Sequence, residues 1–116
     1  MVFPLNLALN SSAEIADAAN WPNFRLFTVG LNTSHSELNN VNGTWLRMTP
    51  DNVASFSAVC YMTARDVARM HTGNRPVGLI QSAWGGTRVE AWMSPKALSA
   101  CEHPPIRSAF EGQAGR

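Results

Sequence analysis

Between Val53 and His71 the apolar residues change period, and that change most constrains what the chain can fold into. Phe56, Cys60, Ala64, Val67 and Met70 recur at intervals of three and four, with Arg65, Asp66 and Arg69 on other faces, so the pattern predicts one amphipathic helix over 53–71 ending near Gly73. Strand-like runs flank it: Phe24–Val29, closed by Gly30, and Val77 to about Ser82, opened by Pro76. Strand, connection, helix, strand is a βαβ crossover, which implies an α/β fold with a parallel sheet and ligand sites beyond the C-terminal ends of its strands.

One such end is sequence-rich. The run Pro76-Val-Gly-Leu-Ile-Gln-Ser-Ala-Trp-Gly-Gly-Thr stops at Gly85 and Gly86, where the backbone can take a positive φ or approach a ligand with bare amides. A plain tight turn uses the same residues. Trp84, Thr87, Glu90 and Trp92 crowd aromatic and polar groups beside the turn, which suits a sugar or acyl pocket.

Elsewhere the pattern is coarser. Ser11 and Glu14 form a capping-box signature for a short helix over about 12–19, and Ser94-Pro95 opens another through about Ala100. Residues 31–52 are Asn-rich and aperiodic, a surface excursion with a short strand at Gly43–Met48. Two clear strands are too few for an independent α/β sheet, so the sheet is expected to be incomplete.

Nine Lys and Arg against eight Asp and Glu, with no basic run, argue against nucleic acid as a class of partner. No apolar stretch approaches the roughly 20 residues of a membrane helix, and the N-terminal residues do not form a signal peptide. Cys60 and Cys101 offer no metal spacing, and a buried free thiol is expected at Cys60. Phosphate-loop and dinucleotide motifs are missing, so no cofactor is expected. Asn10, Asn32 and Asn42 each begin an Asn-x-Ser/Thr triplet, which fits passage through the secretory pathway.

Ester hydrolysis needs an activated nucleophile, a base and oxyanion donors. No serine stands in a Gly-x-Ser-x-Gly elbow. Ser82 alone lies near the strand end, and a hydroxyl bonded to nearby backbone accounts for it better than a nucleophile. His35, His71 and His103 read as surface or capping residues, and Glu90 as a structural acceptor. The residues by themselves support a donor-rich loop without an attacking group.

Ser57-Ala-Val-Cys-Tyr, the run Pro76–Thr87 and Val89-Glu-Ala-Trp-Met-Ser-Pro together resemble the sialate O-acetylesterase family of Ser-Gly-Asn-His hydrolases, from Met1 to about Cys101. The resemblance implies part of a flavodoxin-like parallel α/β sheet and removal of acetyl groups from sialic acids or other acetylated sugars. It also implies a secreted or lysosomal glycoprotein parent. The family's Gly-Gln-Ser-Asn-Met motif would end at Met1, setting the nucleophile two positions earlier, and its Asn and His blocks do not occur in residues 102–116. What carries over is the oxyanion glycine, Gly85 or Gly86 with Gly85 favoured, and Trp84, Thr87 and Glu90 as loop-shaping positions. The expectation is an internal fragment of one esterase domain, inactive alone. A non-catalytic glycan-binding module with Trp84 and Trp92 as platform is the alternative, and a small hydrolase built on Ser82 with His71 or His103 is a third reading.

Overall fold

The computed structural model describes residues 2–71 and 75–100. The described chain divides into two compact units, one holding the residues up to Asn32 together with Asn40–Gly85, the other Thr33–Asn39 and the described residues from Gly86 onward. The first unit contains α1 (Ser11–Asp17), β1 (Phe24–Thr28), β2 (Leu46–Arg47), α2 (Pro50–Val53), α3 (Ala58–Met70) and β3 (Val77–Gln81). The second contains a 3-10 turn at Val89–Trp92 and α4 (Pro95–Ser99), where Ser94 caps with its side chain and Pro95 opens the helix.

β1 and β3 pair in parallel, Phe24 opposite Val77 through Thr28 opposite Gln81, with α3 between them in sequence. That is the crossover expected from the period change. The sheet itself is mixed, in the order β2-β1-β3, because β2 runs antiparallel to β1. The excursion after Gly30 returns directly to β1, and an antiparallel partner needs only such a return. Gly43 permits the return: a Cβ there would lie 2.3 Å from the Phe27 ring and 2.8 Å from the Thr28 carbonyl. Gly78 lies beneath the Trp45 indole, which also packs on Phe27 at 5.1 Å between centroids.

Side chains alternate across the sheet, and Phe24, Leu26 and Leu79 share the buried face. They join Leu5, Ala18, Met48, Val53, Phe56, Ala58 and Tyr61 in one core. Each fully buried large side chain contributes about 1.5–3 kcal/mol. Leu5, Leu26, Val53 and Tyr61 are the largest of these.

The helical stripe differs from the sequence expectation. Chain direction changes over residues 54–57, so the predicted helix is two, α2 and α3. The phase carried across the break is lost: Phe56 is buried ahead of α3, while Val67 and Met70 are 45% and 72% exposed. The buried residues of α3 are Ala58, Tyr61 and Arg65. Arg65 lays its guanidinium over the Tyr61 ring, 5.7 Å from the centroid, and pairs with Glu14 and Asp66. A long aliphatic stem buries while the charge is neutralised across the helix pair. Glu14 is thus used by Arg65, and the capping box is not formed. Asn10 is the N-cap of α1 in a left-handed conformation (φ 56°), which Asn tolerates, and Ser11 lies within the helix.

Asp17 ties the same seam together. Its carboxylate accepts from the Tyr61 hydroxyl at 3.1 Å, Trp21 Nε1 at 3.0 Å, Asn20 at 3.1 Å and Arg69 at 3.3 Å. Burial by itself would raise its pKa, but the donors from Trp21, Asn20 and Tyr61 and the Arg69 charge outweigh this and hold it below 3.8.

Candidate active-site loop

β3 delivers the chain to the loop. After Gln81 the backbone leaves the ladder, Ser82 is exposed, and Gly85 and Gly86 form a turn. Gly86 has φ +78°, a conformation that favours glycine. Gly85 has no such need, and a Cβ built on either glycine would meet nothing within 4 Å. Gly85 therefore ends the first unit with solvent-accessible space beside its backbone, beyond the C-terminal end of a parallel strand, where α/β sheets bind ligands. Trp84, beside it, is 40% exposed.

In the second unit, Thr87 Oγ1 accepts from Trp92 Nε1 at 2.8 Å, so these two motif residues meet. The bond spans the 3-10 turn that holds Glu90 in its first turn, where a carboxylate suits the helix dipole. Glu90 is half-buried. His35 is exposed in the same unit.

Ser82 and His71 lie at opposite ends of the sheet. His71 borders a cleft of about 470 Å³ together with Trp21, Phe24, Val67, Arg75 and Val77. Phe24 and Val77 are the paired first residues of β1 and β3, whereas Ser82 follows the last pair. Ser82 is five residue steps beyond Val77 along the strand, roughly 16 Å at 3.3 Å per step. That separation rules against Ser82 and His71 as a nucleophile–base pair, which needs hydrogen-bond reach. His103 and Cys101 lie outside the described residues. Cys60 is a free, half-buried thiol whose pKa burial pushes up, away from nucleophilic use.

Three polar residues that sequence reasoning passed over connect the loop strand to the rest of the unit or pin its helices. Gln81 Oε1 accepts from the Ser57 amide at 2.7 Å, and Ser57 Oγ caps α3 by accepting from Cys60 N–H at 3.3 Å. A serine just ahead of an apolar periodic run is a helix-start signal and would have placed the break at residue 57. Asp17 carried no signal for its long-range role, because beside the nearby Asn20 and Trp21 its partners are Tyr61 and Arg69, far along the chain. Asn10, Asn32 and Asn42 are all exposed. No described helix is long and apolar enough to cross a membrane.

No family model matches the chain. Among curated proteins it is 36% identical to the rat sialate O-acetylesterase over 84% of its own length and 34% identical to the mouse protein over 97%. It spans 19% and 22% of those two relatives. Human sialate O-acetylesterase is 33% identical over 82% of the chain. Among solved structures, a carbohydrate acetylesterase from Xanthomonas citri matches with a TM-score of 0.75 and 33% identity, covering 86% of this chain and 23% of that one.

Proposed function

Because the chain belongs to the sialate O-acetylesterase family, we propose that it forms the oxyanion-loop portion of an esterase that removes O-acetyl groups from sialic acids or other acetylated sugars. The observation that carries this reading is Gly85, an exposed glycine with open space where a side chain would stand, beyond the C-terminal end of β3 in a partial Ser-Gly-Asn-His hydrolase fold. In this reading a serine two positions ahead of Met1 attacks the acetyl carbonyl and a histidine outside residues 1–116 takes its proton. The sugar hydroxyl leaves with a proton returned by that histidine. Water then cleaves the acetyl-enzyme to acetate and restores the serine. Gly85 N–H is one of three donors to the tetrahedral oxyanion, beside the serine amide and an asparagine side chain.

A loop donor without the serine–histidine unit cannot form the acyl-enzyme, so the 116-residue polypeptide is expected to release no acetate from 9-O-acetylated sialic acid above background. A polypeptide extended through the serine and through the Asn and His blocks is expected to release it. Within that longer chain, Gly85→Val fills the space beside the amide and lowers kcat by about 10²-fold, the scale of one lost oxyanion donor. Unchanged turnover by Gly85→Val would remove the loop from the mechanism. The exposed Asn10, Asn32 and Asn42 support a secreted or lysosomal glycoprotein parent, readable as an endoglycosidase-sensitive mass shift after expression through the secretory pathway.

The exposed rings of Trp84 and Trp92 favour a second reading, a glycan-binding module without catalysis. It requires that the 116-residue chain melt cooperatively and bind acetylated sialosides, and that the extended chain have no esterase activity.

A further inference from the structure

Gln81 closes β3, and its two acceptor oxygens are tied to two different elements. Its main-chain carbonyl accepts from Val29 N–H at 2.9 Å, which continues the parallel ladder. Its side-chain Oε1 accepts from Ser57 N–H at 2.7 Å. Ser57 is buried and precedes α3, so its amide has no place in the helix's own ladder and depends on Gln81 for a partner. Ser57 also forms an antiparallel bridge with Pro4. On either side of that bridge, Ala58 N–H donates to the Phe3 carbonyl at 2.8 Å and Leu5 N–H to the Phe56 carbonyl at 2.9 Å. A continuous path of hydrogen bonds therefore runs from the end of β3 to Phe3–Leu5. In the other direction only Ser82, Ala83 and Trp84 separate Gln81 from Gly85.

We infer that Gln81 is a positioning residue for the esterase reaction: through Ser57 it holds the Phe3–Leu5 segment, and with it the nucleophile just ahead of Met1, at a set distance from the Gly85 amide. The inference rests on the function proposed above. Gln81 touches neither substrate nor reacting atoms. Its contribution follows from the geometry of oxyanion stabilisation, which requires donors about 2.7–3.1 Å from where the oxyanion forms. A shift of serine against loop misplaces that donor in the transition state and leaves substrate binding unchanged, so the loss falls on kcat. What position 81 must supply is an acceptor at Oε1. Glutamate supplies one, and its charge suits the N-terminal end of α3. Methionine matches glutamine in size and has no acceptor of comparable strength.

The test compares Gln81→Met and Gln81→Glu in the polypeptide extended through the nucleophile and the Asn and His blocks, using 9-O-acetylated sialic acid and hydrogen exchange of the Ser57 amide. In Gln81→Met, Ser57 exchange is expected to accelerate at least about tenfold and kcat to fall about ten- to hundredfold, with KM within about twofold. Gln81→Glu is expected to keep both close to wild type. If Gln81→Met fails to melt cooperatively, Gln81→Asn, which withdraws the acceptor by one methylene, makes the same comparison. Faster Ser57 exchange with unchanged kcat overturns the inference, as does equal loss in the Met and Glu variants, which would make side-chain shape the cause. An extended wild type with a protected Ser57 amide and no esterase activity overturns the proposed function instead, and the positioning role falls with it.

Discussion

The two ends of the parallel β1–β3 pair are built differently. The N-terminal end, at Phe24 and Val77, borders the apolar cleft of about 470 Å³, its rim carrying His71 and Arg75. The C-terminal end offers Gln81, Ser82 and the exposed Gly85. Size alone would favour the cleft as the site. The ester hydrolysis proposed above favours the other end, because parallel strands direct their connecting loops there and a developing oxyanion needs backbone donors more than apolar walls. The cleft is walled largely by Ala64, Val67 and Ala68 of α3 beside the first residues of β1 and β3, so its donors, His71 and Arg75 among them, stand at the end of the sheet away from the glycine loop.

The comparison can be broken most severely by removing the core both ends share. Leu26→Ala, at a position 2% exposed between β2 and β3, should cost about 2–5 kcal/mol and abolish any cooperative melt followed by circular dichroism. A small loss there would mean that the sheet does not organise the unit. Next in size is the polar seam. Asp17→Asn gives Trp21, Tyr61 and Arg69 a poorer acceptor and should cost about 1–3 kcal/mol in urea unfolding at neutral pH.

The same residue sets an acid dependence. Its folded pKa lies below the unfolded value near 3.8, so its contribution is complete above that value and disappears as the pH falls through the lower, folded one. Wild type and Asp17→Asn should therefore converge in stability on acidification below pH 3.8; parallel curves would assign the acid sensitivity to another carboxylate. Gly86→Ala imposes a left-handed conformation on a residue with a Cβ and should cost about 1 kcal/mol, whereas Gly85→Ala should be neutral in stability. Equal costs would show that the turn does not distinguish its two glycines. The smallest effect belongs to the cleft: Val67→Ser, at a position 45% exposed, should change stability by less than about 0.5 kcal/mol and leave esterase activity of the extended chain untouched. A marked loss of activity there would move the site to the other end of the sheet.

Much of this arrangement was legible locally. The β-formers at Phe24–Thr28 and Val77–Gln81 and the Ser94-Pro95 start all appear at or within a residue or two of their expected positions, and the helix between the strands ends where its period predicts, since short-range periodicity and caps decide them. The glycine turn was readable for the same reason. The buried face of α3 was not. A period counted through residues 54–57 assumes one helix axis, and the chain changes direction there. Arg65 looked like a solvent-facing charge because nothing near it in sequence shows that Glu14 would stand opposite.

By itself, then, the sequence determined the crossover, the position of the glycine loop and, through its motifs, the family, because each depends on residues close together along the chain. Only the tertiary structure decided the mixed pairing of the sheet, the burial of Arg65, the Asp17 seam and the reach of Gln81 to Ser57. Each of those depends on residues 20 or more positions apart, where the partner is selected by the space and unsatisfied polar groups left once the elements have packed.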